Sequence, residues 1–397
     1  SIALEEVPYK PDFKLDFVGG GAGVGVGTSQ TFGTTTGAVG GVDMLFSDIL
    51  GNNKLFTSLA LNGEIADFGG VVAYINSKKK INWGASLSHI PYRSVYGGFA
   101  GFEVLEFEGL GFIETAKYQY IINRLFEDKV GVFAQLPFST TLRVEANASY
   151  SRYSNRIVQQ DYYYDAFNRL VYQERTKLDA APGFNLWTVG TAVVGDNSYF
   201  GITAPLQGYR FRAGVDQYMG EFDFTAPTLD FRVYKFFKPI GLAFRAYHYG
   251  RYGGNSDKIY PLYVGSPWFV RGYNSNKAID LIVQNDKSFD QLIGSKMLIS
   301  NFEVRIPFTG PERLSLIKSK FFLTDLNFFV DGGVSWYDFK QFNSNNDTGY
   351  LPAAPVFSAG VSLRINLFGA MVLEPYYAYP ILKESKGSFG FNLMPGW

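Results

Sequence analysis

The 397-residue sequence predicts an all-β protein, and three observations lead to this fold class. Aromatic residues make up 17% of the chain and glycine contributes 44 residues. Charged residues amount to 18%, whereas an average soluble chain has roughly 25%. Several segments alternate apolar and polar residues with the period of two that is typical of β-strands.

The composition also excludes several kinds of protein. Lys+Arg 36 balance Asp+Glu 36, so we expect no nucleic-acid partner, and Cys 0 rules out disulfides and cysteine-based metal sites. We predict no metal site and no cofactor. The sequence has no run of about 18 apolar residues that would form a transmembrane helix. The opening SIALEEVPYK has no secretion-signal pattern, so we expect a mature or excised chain.

The period of two is clearest in the segment LRVEANASYS, residues 142–151. Leu142 and Val144 fall on one face, and Arg143 and Glu145 fall on the other. The same alternation occurs in residues 81–88, 297–306 and 361–367. One face of each segment is therefore apolar, and the other is small, polar or charged.

This pattern fits a membrane-spanning barrel better than a soluble sandwich of two sheets. A strand that crosses a bilayer meets lipid on one side and a wet lumen on the other. Such a strand needs about 9–11 residues, whereas strands in globular proteins average nearer 5–6. Most of the alternating segments have the greater length, so we predict an antiparallel transmembrane β-barrel.

The barrel is predicted to have sixteen strands, an even number as in bacterial single-chain barrels. The predicted strands cover residues 15–28, 36–47, 55–65, 69–77, 81–91, 107–121, 142–156, 184–195, 209–219, 228–237, 241–253, 296–308, 323–338, 356–368, 370–381 and 387–397. Residues 1–14 form a periplasmic lead-in, and residues 15–397 form the barrel.

The connections predict the orientation of the barrel. Long gaps follow odd-numbered strands, at 157–183, 254–295 and 339–355, and short gaps follow even-numbered strands, at 77–80 and 238–240. Outer-membrane barrels have long outer loops and short periplasmic turns, so both termini are expected in the periplasm. The gap 122–141 is an exception, because it is long on the predicted periplasmic side.

The segment 254–295 is long for a connection without strand pattern. It carries five large aromatic residues, Tyr260, Tyr263, Trp268, Phe269 and Tyr273. A loop in water has little use for so many aromatic side chains. We therefore expect this extracellular loop to fold into the lumen of the barrel.

Arg271 lies in the middle of this aromatic loop. An isolated buried charge is very costly, so the guanidinium requires acidic partners on the neighbouring strands. Glu303 and Asp331 lie on the polar faces of the next two predicted strands. We predict that Arg271 pairs with Glu303, Asp331 or both, because its planar fork suits carboxylates. Its role is then to brace the loop.

Three motifs carry a resemblance to a known family. They are Val270-Arg271-Gly272-Tyr273, Asn301-Phe302-Glu303-Val304-Arg305-Ile306-Pro307 and Phe329-Val330-Asp331-Gly332-Gly333. In this order, followed by AGVSLRINLFG and EPYYAYPI, they resemble the outer-membrane assembly factor superfamily of the BamA, TamA and FhaC type, which includes bacterial surface antigen barrels. The resemblance is strong over roughly residues 230–397. It implies a sixteen-strand barrel whose inserted loop carries an arginine that meets these acids.

The resemblance also implies a function in protein insertion or protein translocation. The chain departs from the family pattern by having no POTRA repeats before the barrel and by ending in Met394-Pro395-Gly396-Trp397. Its opening YKPDFKLDF and its PGW ending look like a subgroup whose barrel follows a TolB-like periplasmic domain. The alternative function is a barrel anchor or accessory subunit of an envelope complex. A passive porin is a further alternative.

The first predicted strand is unusually rich in glycine. Its glycines are Gly19, Gly20, Gly21, Gly23, Gly25 and Gly27. Glycine weakens a strand and permits close backbone approach. One interpretation is a labile seam with the last strand, which contains Phe391 and Trp397, where a client strand could pair. The other is a kinked strand, or room for the inserted loop.

The predicted surroundings follow from these assignments. The chain is expected in the outer membrane of a Gram-negative bacterium, where it contacts lipid, lipopolysaccharide and protein partners or clients. We predict that it is not an enzyme. His89 and His248 are the two histidines, and a lipase that used His89 with Ser86 or Ser88 is the remaining enzymatic alternative. Interfacial histidines are the simpler interpretation, because no nucleophile motif is present.

Overall fold

A computed structural model describes residues 11–29, 33–62, 64–107, 109, 111–273, 288–343, 347–367, 371–382 and 385–393. Residues 274–287 of the predicted inserted loop lie outside the described residues. So does Trp397, one of the predicted seam residues. Among the described residues, no helix is long and apolar enough to cross a membrane.

The described residues form twenty-one β-strands. They are β1 (Lys14–Ser29), β2 (Gly33–Ser47), β3 (Asn53–Asn62), β4 (Glu64–Asn76), β5 (Asn82–Phe107), β6 (Gly111–Pro137), β7 (Leu142–Tyr164), β8 (Leu170–Leu178), β9 (Phe184–Asp196), β10 (Tyr199–Phe200), β11 (Pro205–Gly220), β12 (Phe224–Phe237), β13 (Ile240–Gly250), β14 (Leu262–Tyr263), β15 (Ile293–Gly294), β16 (Lys296–Gly310), β17 (Ile317–Lys318), β18 (Leu323–Trp336), β19 (Val356–Leu367), β20 (Met371–Pro380) and β21 (Ser388–Leu393). Two short 3₁₀ helices cover Phe289–Leu292 and Phe339–Phe342. The predicted all-β class is confirmed.

Each of the sixteen predicted strands overlaps one of these strands, and five further strands are β8, β10, β14, β15 and β17. The prediction of a long gap at 122–141 is wrong, because β6 continues to Pro137. The alternation was hard to recognise there, since charged Arg124 and Glu127 are both buried. The hydroxyls of Tyr92 and Tyr153 donate to Glu127 over 2.8 and 2.9 Å. The gap is therefore a short turn.

Two other predicted connections also contain strands. Part of the gap 157–183 forms a hairpin, because the end of β7 pairs with β8 and places Asp161 opposite Glu174. The segment 254–295 was expected to have no strand, and this is wrong in detail. Its residues Leu262 and Tyr263 pair with Gly294 and Ile293, so β14 and β15 form a two-residue antiparallel ladder.

The chain divides into two compact units. The first comprises residues 1–27, 34–132 and 149–187. Within it, β3 pairs with β4 and β4 pairs with β5, all antiparallel. The register places Val72 opposite Leu87 on one face. Both side chains are exposed, so this face of the first unit is apolar and uncovered.

The second unit comprises residues 28–33, 133–148 and 188–397. Its strands β11, β12, β13, β16, β18, β19, β20 and β21 pair antiparallel in that order. The short β17 adds to the end of β16 in parallel. The register of β16 and β18 places Asn301 opposite Asp331. This register brings the polar side chains of the two strands together, and the candidate site is built on them.

Strands of the second unit bury their charged face and expose their apolar face. In β16, Glu303 and Arg305 are 0% and 1% exposed, whereas Leu298 and Phe302 are 49% and 42% exposed. In β18, Asp331 is buried while Val330 is exposed. A soluble sandwich would show the reverse, because its apolar faces pack together. This distribution matches strands that meet lipid on the outside.

Val330→Arg tests the environment of the exposed face, because Val330 lies at the middle of β18. If that face meets lipid, the substitution should lower the stability of the folded chain in vesicles by about 2–4 kcal/mol, the cost of Arg near a bilayer midplane. Leu170→Arg in β8 is the matched control, because Leu170 and Val330 are both 48% exposed. Urea unfolding in lipid vesicles measures both. Equal effects would contradict a lipid-facing β18.

Candidate functional site

The segment before β15 has an apolar core that holds it against the sheet of the second unit. Val264, Val270 and Tyr273 are fully buried and pack with Ile299 of β16 and Val356 of β19. Burial of this kind contributes about 1.5–3 kcal/mol for each large apolar side chain. Apolar packing therefore holds the described part of the segment on the face of β16 that also carries Asn301 and Glu303.

Local hydrogen bonds shape the segment around this core. The backbone carbonyl of Ser266 accepts from the N–H groups of Phe269 and Val270 over 2.8 and 3.0 Å. These hydrogen bonds close a turn just before Arg271. The Tyr263 hydroxyl donates to the carbonyl of Tyr273, and the Tyr273 hydroxyl donates to the carbonyl of Phe357 over 2.7 Å. Burial raises the pKa of Tyr263 to about 12, so its hydroxyl stays protonated and can donate.

The five aromatic residues of the segment occupy different environments. Phe269 stacks on Tyr247 of β13, with ring centroids 5.4 Å apart. Tyr263 and Tyr273 join the same apolar core. Trp268 is anchored through its backbone, since its carbonyl accepts from Arg245 over 3.2 Å. Tyr260 is 49% exposed, so it takes less part in this packing than the others.

Arg271 binds Asp331 through two of the three nitrogen atoms of its guanidinium. Its Nε donates to Asp331 Oδ2 over 2.7 Å, and its Nη2 donates to Asp331 Oδ1 over 2.8 Å. The backbone N–H of Arg271 adds a contact of 3.2 Å to Oδ2. This is the bidentate geometry that arginine forms with carboxylates and lysine cannot. Arg271 is 3% exposed and Asp331 is fully buried.

The third guanidinium nitrogen of Arg271 contacts two more acidic residues. Its Nη1 lies 3.0 Å from Glu303 Oε1 in β16 and 3.2 Å from Glu374 Oε1 in β20. The charge also sits over the ring of Phe329, with Cζ 3.5 Å from the ring centroid. A guanidinium over an aromatic face gains cation–π attraction, and the gain is larger where water is excluded.

Two further arginines balance these acids. Arg364 of β19 donates to Glu303 Oε1 over 2.9 Å and to Glu374 Oε1 over 3.1 Å. Arg305 of β16 donates to Glu303 Oε2 over 2.9 Å. Arg271, Arg305 and Arg364 thus face Asp331, Glu303 and Glu374. We name these six side chains the ionic cluster, and its formal charge is zero.

Neutral side chains satisfy the remaining acceptors of the cluster. Asn301 donates to Asp331 over 2.8 Å and to the carbonyl of Phe269 over 2.7 Å. Ser362 donates to Glu374 over 2.9 Å, and Asn392 of β21 donates to Glu374 Oε2 over 3.1 Å. Buried polar groups need such partners. The cluster therefore connects the segment to β16, β18, β19, β20 and β21.

Two positions of the family motifs are glycine for a steric reason. Gly272 has φ +94°, a left-handed conformation that side chains rarely adopt. A Cβ at this position would also lie 3.0 Å from the Cβ of Ala378. A Cβ at Gly333 would lie 2.8 Å from a methyl of Val270. Both glycines let the segment approach the sheet closely beside Arg271.

The structure brings together Arg271, Glu303 and Asp331, the three charged residues that the sequence singled out. Val270 and Tyr273 pack beside them in the apolar core, and Gly272 provides the turn. Sequence reasoning missed Glu374, Arg305 and Arg364. The signal for the two arginines was their alternation with apolar neighbours, which places them on the polar faces of their strands. Glu374 is the first residue of EPYYAYPI, and the partners that bury it lie on other strands.

The other predicted positions lie elsewhere. The six glycines from Gly19 to Gly27 lie in β1, and Phe391 lies in β21 with 53% exposure. His89 Nδ1 lies 2.6 Å from Asp128 Oδ1. Strand alternation places Ser86 and Ser88 on the opposite face of β5 from His89. His248 contacts the carbonyl of Met297.

The described residues contain no group of three or more His, Asp or Glu side chains that could hold a metal ion. The carboxylates of the ionic cluster are each engaged by guanidinium groups. The chemistry available at this site is therefore ion pairing and hydrogen bonding. It can hold or release a chain segment.

Comparison with protein families identifies the chain. The model of the Omp85 superfamily domain matches residues 90–396, well over half of the sequence. The chain belongs to the Omp85 superfamily. The match confirms the resemblance to the outer-membrane assembly factor superfamily that the sequence motifs carry. Omp85 proteins are outer-membrane barrels that insert or translocate proteins. No curated protein matches the sequence.

Solved structures show the same fold at low sequence identity. BamA from Haemophilus ducreyi lacking POTRA domains 1-3 is 14% identical with a TM-score of 0.54, and the match covers 96% of this chain and 70% of that one. CdiB from Acinetobacter baumannii is 13% identical with a TM-score of 0.50, covering 93% and 57%. CdiB from Escherichia coli is 11% identical with a TM-score of 0.51, covering 98% and 63%.

These Omp85 structures are longer than the chain described here. The chain spans about 70% of the first and about six tenths of the CdiB proteins. At such low identity the matches show the fold alone.

Arg271→Ala tests whether the ionic cluster holds the segment. The substitution should lower the free energy of unfolding by about 3–5 kcal/mol, because it leaves buried carboxylates without their counter-charge. Urea unfolding in vesicles measures the stability, and protease sensitivity of residues 254–273 reports the segment itself.

Arg169→Ala is the control for loss of an arginine. Arg169 pairs with Asp165 at an exposed turn, 2.7 Å apart, and exposed pairs contribute about 1 kcal/mol or less. Wild-type heat resistance and protease protection in Arg271→Ala would show that the cluster does not brace the segment.

Proposed function

We propose that this Omp85 member forms a closed barrel of sixteen membrane-crossing strands and that residues 254–295 fold into its lumen. The burial of the charged faces of β16 and β18, opposite exposed apolar faces, supports a wet interior and a lipid-facing exterior. The partners of Arg271 come from β16, β18 and β20. A segment that contacts these strands on one face lies across the interior of such a barrel.

We infer that the barrel handles polypeptides in the outer membrane, by inserting outer-membrane proteins or by passing secreted ones. The match of residues 90–396 to the Omp85 domain carries this proposal. CdiB and BamA share its fold. The proposed surroundings include lipid, lipopolysaccharide and protein clients, with both termini in the periplasm.

In this proposal the ionic cluster determines whether the lumen is open. Arg271 is the one member of the cluster that lies outside the strands. Displacing the segment would therefore separate Arg271 from three acids at once. Because an uncompensated buried charge is costly, the closed arrangement is the ground state, and opening requires a client or water to replace Arg271.

The seam remains a prediction from the sequence. The six glycines of β1 support a first strand that pairs weakly at the seam. A client strand would then add to an exposed edge by backbone hydrogen bonding. The seam and the lumen are two different routes, and they require different experiments.

Depletion in the native bacterium tests the polypeptide-handling function. If the protein is a general insertase, many outer-membrane proteins should decrease together in quantitative mass spectrometry of the envelope. If it is a dedicated translocator, one secreted protein should be lost while the others stay constant. An unchanged outer-membrane and secreted proteome would contradict both forms and would favour the anchor or accessory-subunit alternative.

A reversible disulfide separates the lumen route from the seam route. The chain has Cys 0, so Val270→Cys with Gly333→Cys introduces a single pair, at positions where a Cβ at Gly333 would lie 2.8 Å from a Val270 methyl. Oxidation should block translocation through the lumen, and reduction should restore it. Val270→Cys alone and Gly333→Cys alone are the controls, because a side chain at Gly333 crowds Val264 and Ile299 even without a disulfide. Translocation that continues in the oxidised protein would contradict the lumen route.

A further inference from the structure

A hairpin in the connection between β9 and β11 folds back onto the sheet of the second unit. This connection follows the eighth predicted strand, so it lies at the proposed periplasmic end of the barrel. In the hairpin, β10 pairs with the start of β11, and Phe200 lies opposite Pro205. The N–H of Gly201 donates to the carbonyl of Ala204 over 2.8 Å and closes the turn. We name residues 201–205 the strap.

The strap is buried although it connects two strands. Ile202 and Ala204 are 8% and 3% exposed, and Pro205 is buried as well. A Cβ at Gly310, the last residue of β16, would lie 2.5 Å from Ile202 Cδ1. The isoleucine therefore packs directly on the end of that strand. Connections usually run over the protein surface, so the burial of this one shows that its position is specified by the sheet.

Side-chain hydrogen bonds tie the strap to β16 and β18. The carbonyl of Pro205 accepts from Arg305 Nη1 over 2.8 Å. The Thr203 hydroxyl donates to Asp325 Oδ2. Arg305 and Asp325 are each 1% exposed, so both contacts are made away from water. Because Arg305 Nε also donates to Glu303 over 2.9 Å, this arginine belongs both to the ionic cluster and to the site that holds the strap.

A third hydrogen bond reaches across the sheet. The carbonyl of Ile202 accepts from Asn366 Nδ2 of β19 over 2.8 Å. In the order of pairing, β19 is the fifth strand from β11, which would place it roughly 24 Å away in a flat sheet. The three residues between Ile202 and Pro205 span only about 10 Å. The sheet must therefore curl around the strap, which crosses its interior.

We propose that the strap closes the periplasmic end of the lumen by occupying a binding site for extended polypeptide. The inference rests on the proposed lumen route, because a client that enters from the periplasm meets the strap first. Arg305 and Asn366 bind backbone carbonyls of the strap, and every polypeptide carries such carbonyls. A client backbone can therefore replace the strap at these donors whatever its sequence. Displacement of the strap unfolds no long strand, since β10 has two residues.

Chemical modification of a buried cysteine measures the opening of the strap. The chain has Cys 0, so Asn327→Cys introduces a single thiol. Asn327 is fully buried and follows Asp325 on the same face of β18. The reagent is 2-sulfonatoethyl methanethiosulfonate, which is charged and soluble in water. It is added to the full chain in nanodiscs, and peptide mass spectrometry gives the rate at position 327. A closed strap should make this modification slow.

Thr203→Val in the Asn327→Cys chain should make the modification about tenfold faster, because a buried acceptor that loses its donor favours states in which water reaches it. The substitution removes the hydroxyl that donates to Asp325 and keeps the shape of the side chain. Thr191→Val is the matched control, since the Thr191 hydroxyl donates to the carbonyl of Glu145 over 3.0 Å, away from the strap. It should leave the rate unchanged.

A second reporter separates opening of the strap from general unfolding. Ser358 is fully buried and lies opposite Asp331, further from the strap than Asn327. In a Ser358→Cys chain, Thr203→Val should leave the rate of modification unchanged. Equal acceleration at positions 327 and 358 would show that the whole sheet loosens, and it would overturn the strap as a separate closing element.

A disulfide tests the reverse change. A Cβ at Gly310 would lie 3.3 Å from Ile202 Cγ1, the atom that a cysteine sulfur replaces. Oxidation of Ile202→Cys with Gly310→Cys should slow the modification at position 327 about tenfold, because it removes the local opening through which the reagent enters. Gly310→Cys without Ile202→Cys is the control for crowding. An unchanged rate in the oxidised protein would show that the reagent enters elsewhere, and would overturn the proposal.

These measurements need no client, so they test the strap separately from polypeptide handling. Fast modification of Asn327→Cys with the strap intact, or no acceleration by Thr203→Val, would overturn the strap while the proposed function stands. A slow rate that Thr203→Val raises at position 327 alone would support the strap, even if depletion in the bacterium left the outer-membrane and secreted proteome unchanged.

Discussion

The bidentate pair of Arg271 with Asp331 is the interaction on which the candidate site depends. It joins a chain segment between strands to the centre of a sheet, at a place with almost no access to water. A guanidinium there is tolerated only with full compensation. Without Arg271, Asp331, Glu303 and Glu374 would face only Arg305 and Arg364, which leaves one negative charge uncompensated. The segment therefore supplies a charge that the sheet lacks.

This charge requirement explains why the polar interior and the apolar segment core occur together. The ionic cluster is neutral only while Arg271 is in place, and Arg271 is in place only while Val264, Val270 and Tyr273 pack on the sheet. Apolar burial provides much of the favourable free energy, and the ion pairs determine the position. Two different interactions thus specify one arrangement of the segment.

The reversed distribution of residues follows from the same physical setting. In an Omp85 barrel the outer surface meets hydrocarbon and the inner surface meets water or polar groups. Exposed Leu298 and Phe302 therefore belong to the same strand as buried Glu303.

Much of the fold could be predicted because its signal is local. Alternation with a period of two is written within each strand, so all sixteen predicted strands overlap observed ones. It also identified the polar faces that carry Glu303 and Asp331. The motif around Arg271 pointed to a buried cation, since aromatic residues and a charge seldom gather in an exposed loop. These features require only the neighbours of each residue along the chain.

The remaining features depend on register and on contacts between distant strands. Which carboxylates meet Arg271 was decided by the pairing of β16, β18, β19 and β20, so Glu374 entered the site without a local signal. The continuation of β6 through buried Arg124 and Glu127 likewise depends on partners in other strands. The sequence by itself determined the fold class, the membrane-facing pattern and the central arginine. Only the tertiary structure decided how its charge is shared among three acids, because ion pairing is set by distances across the sheet and not by spacing along the chain.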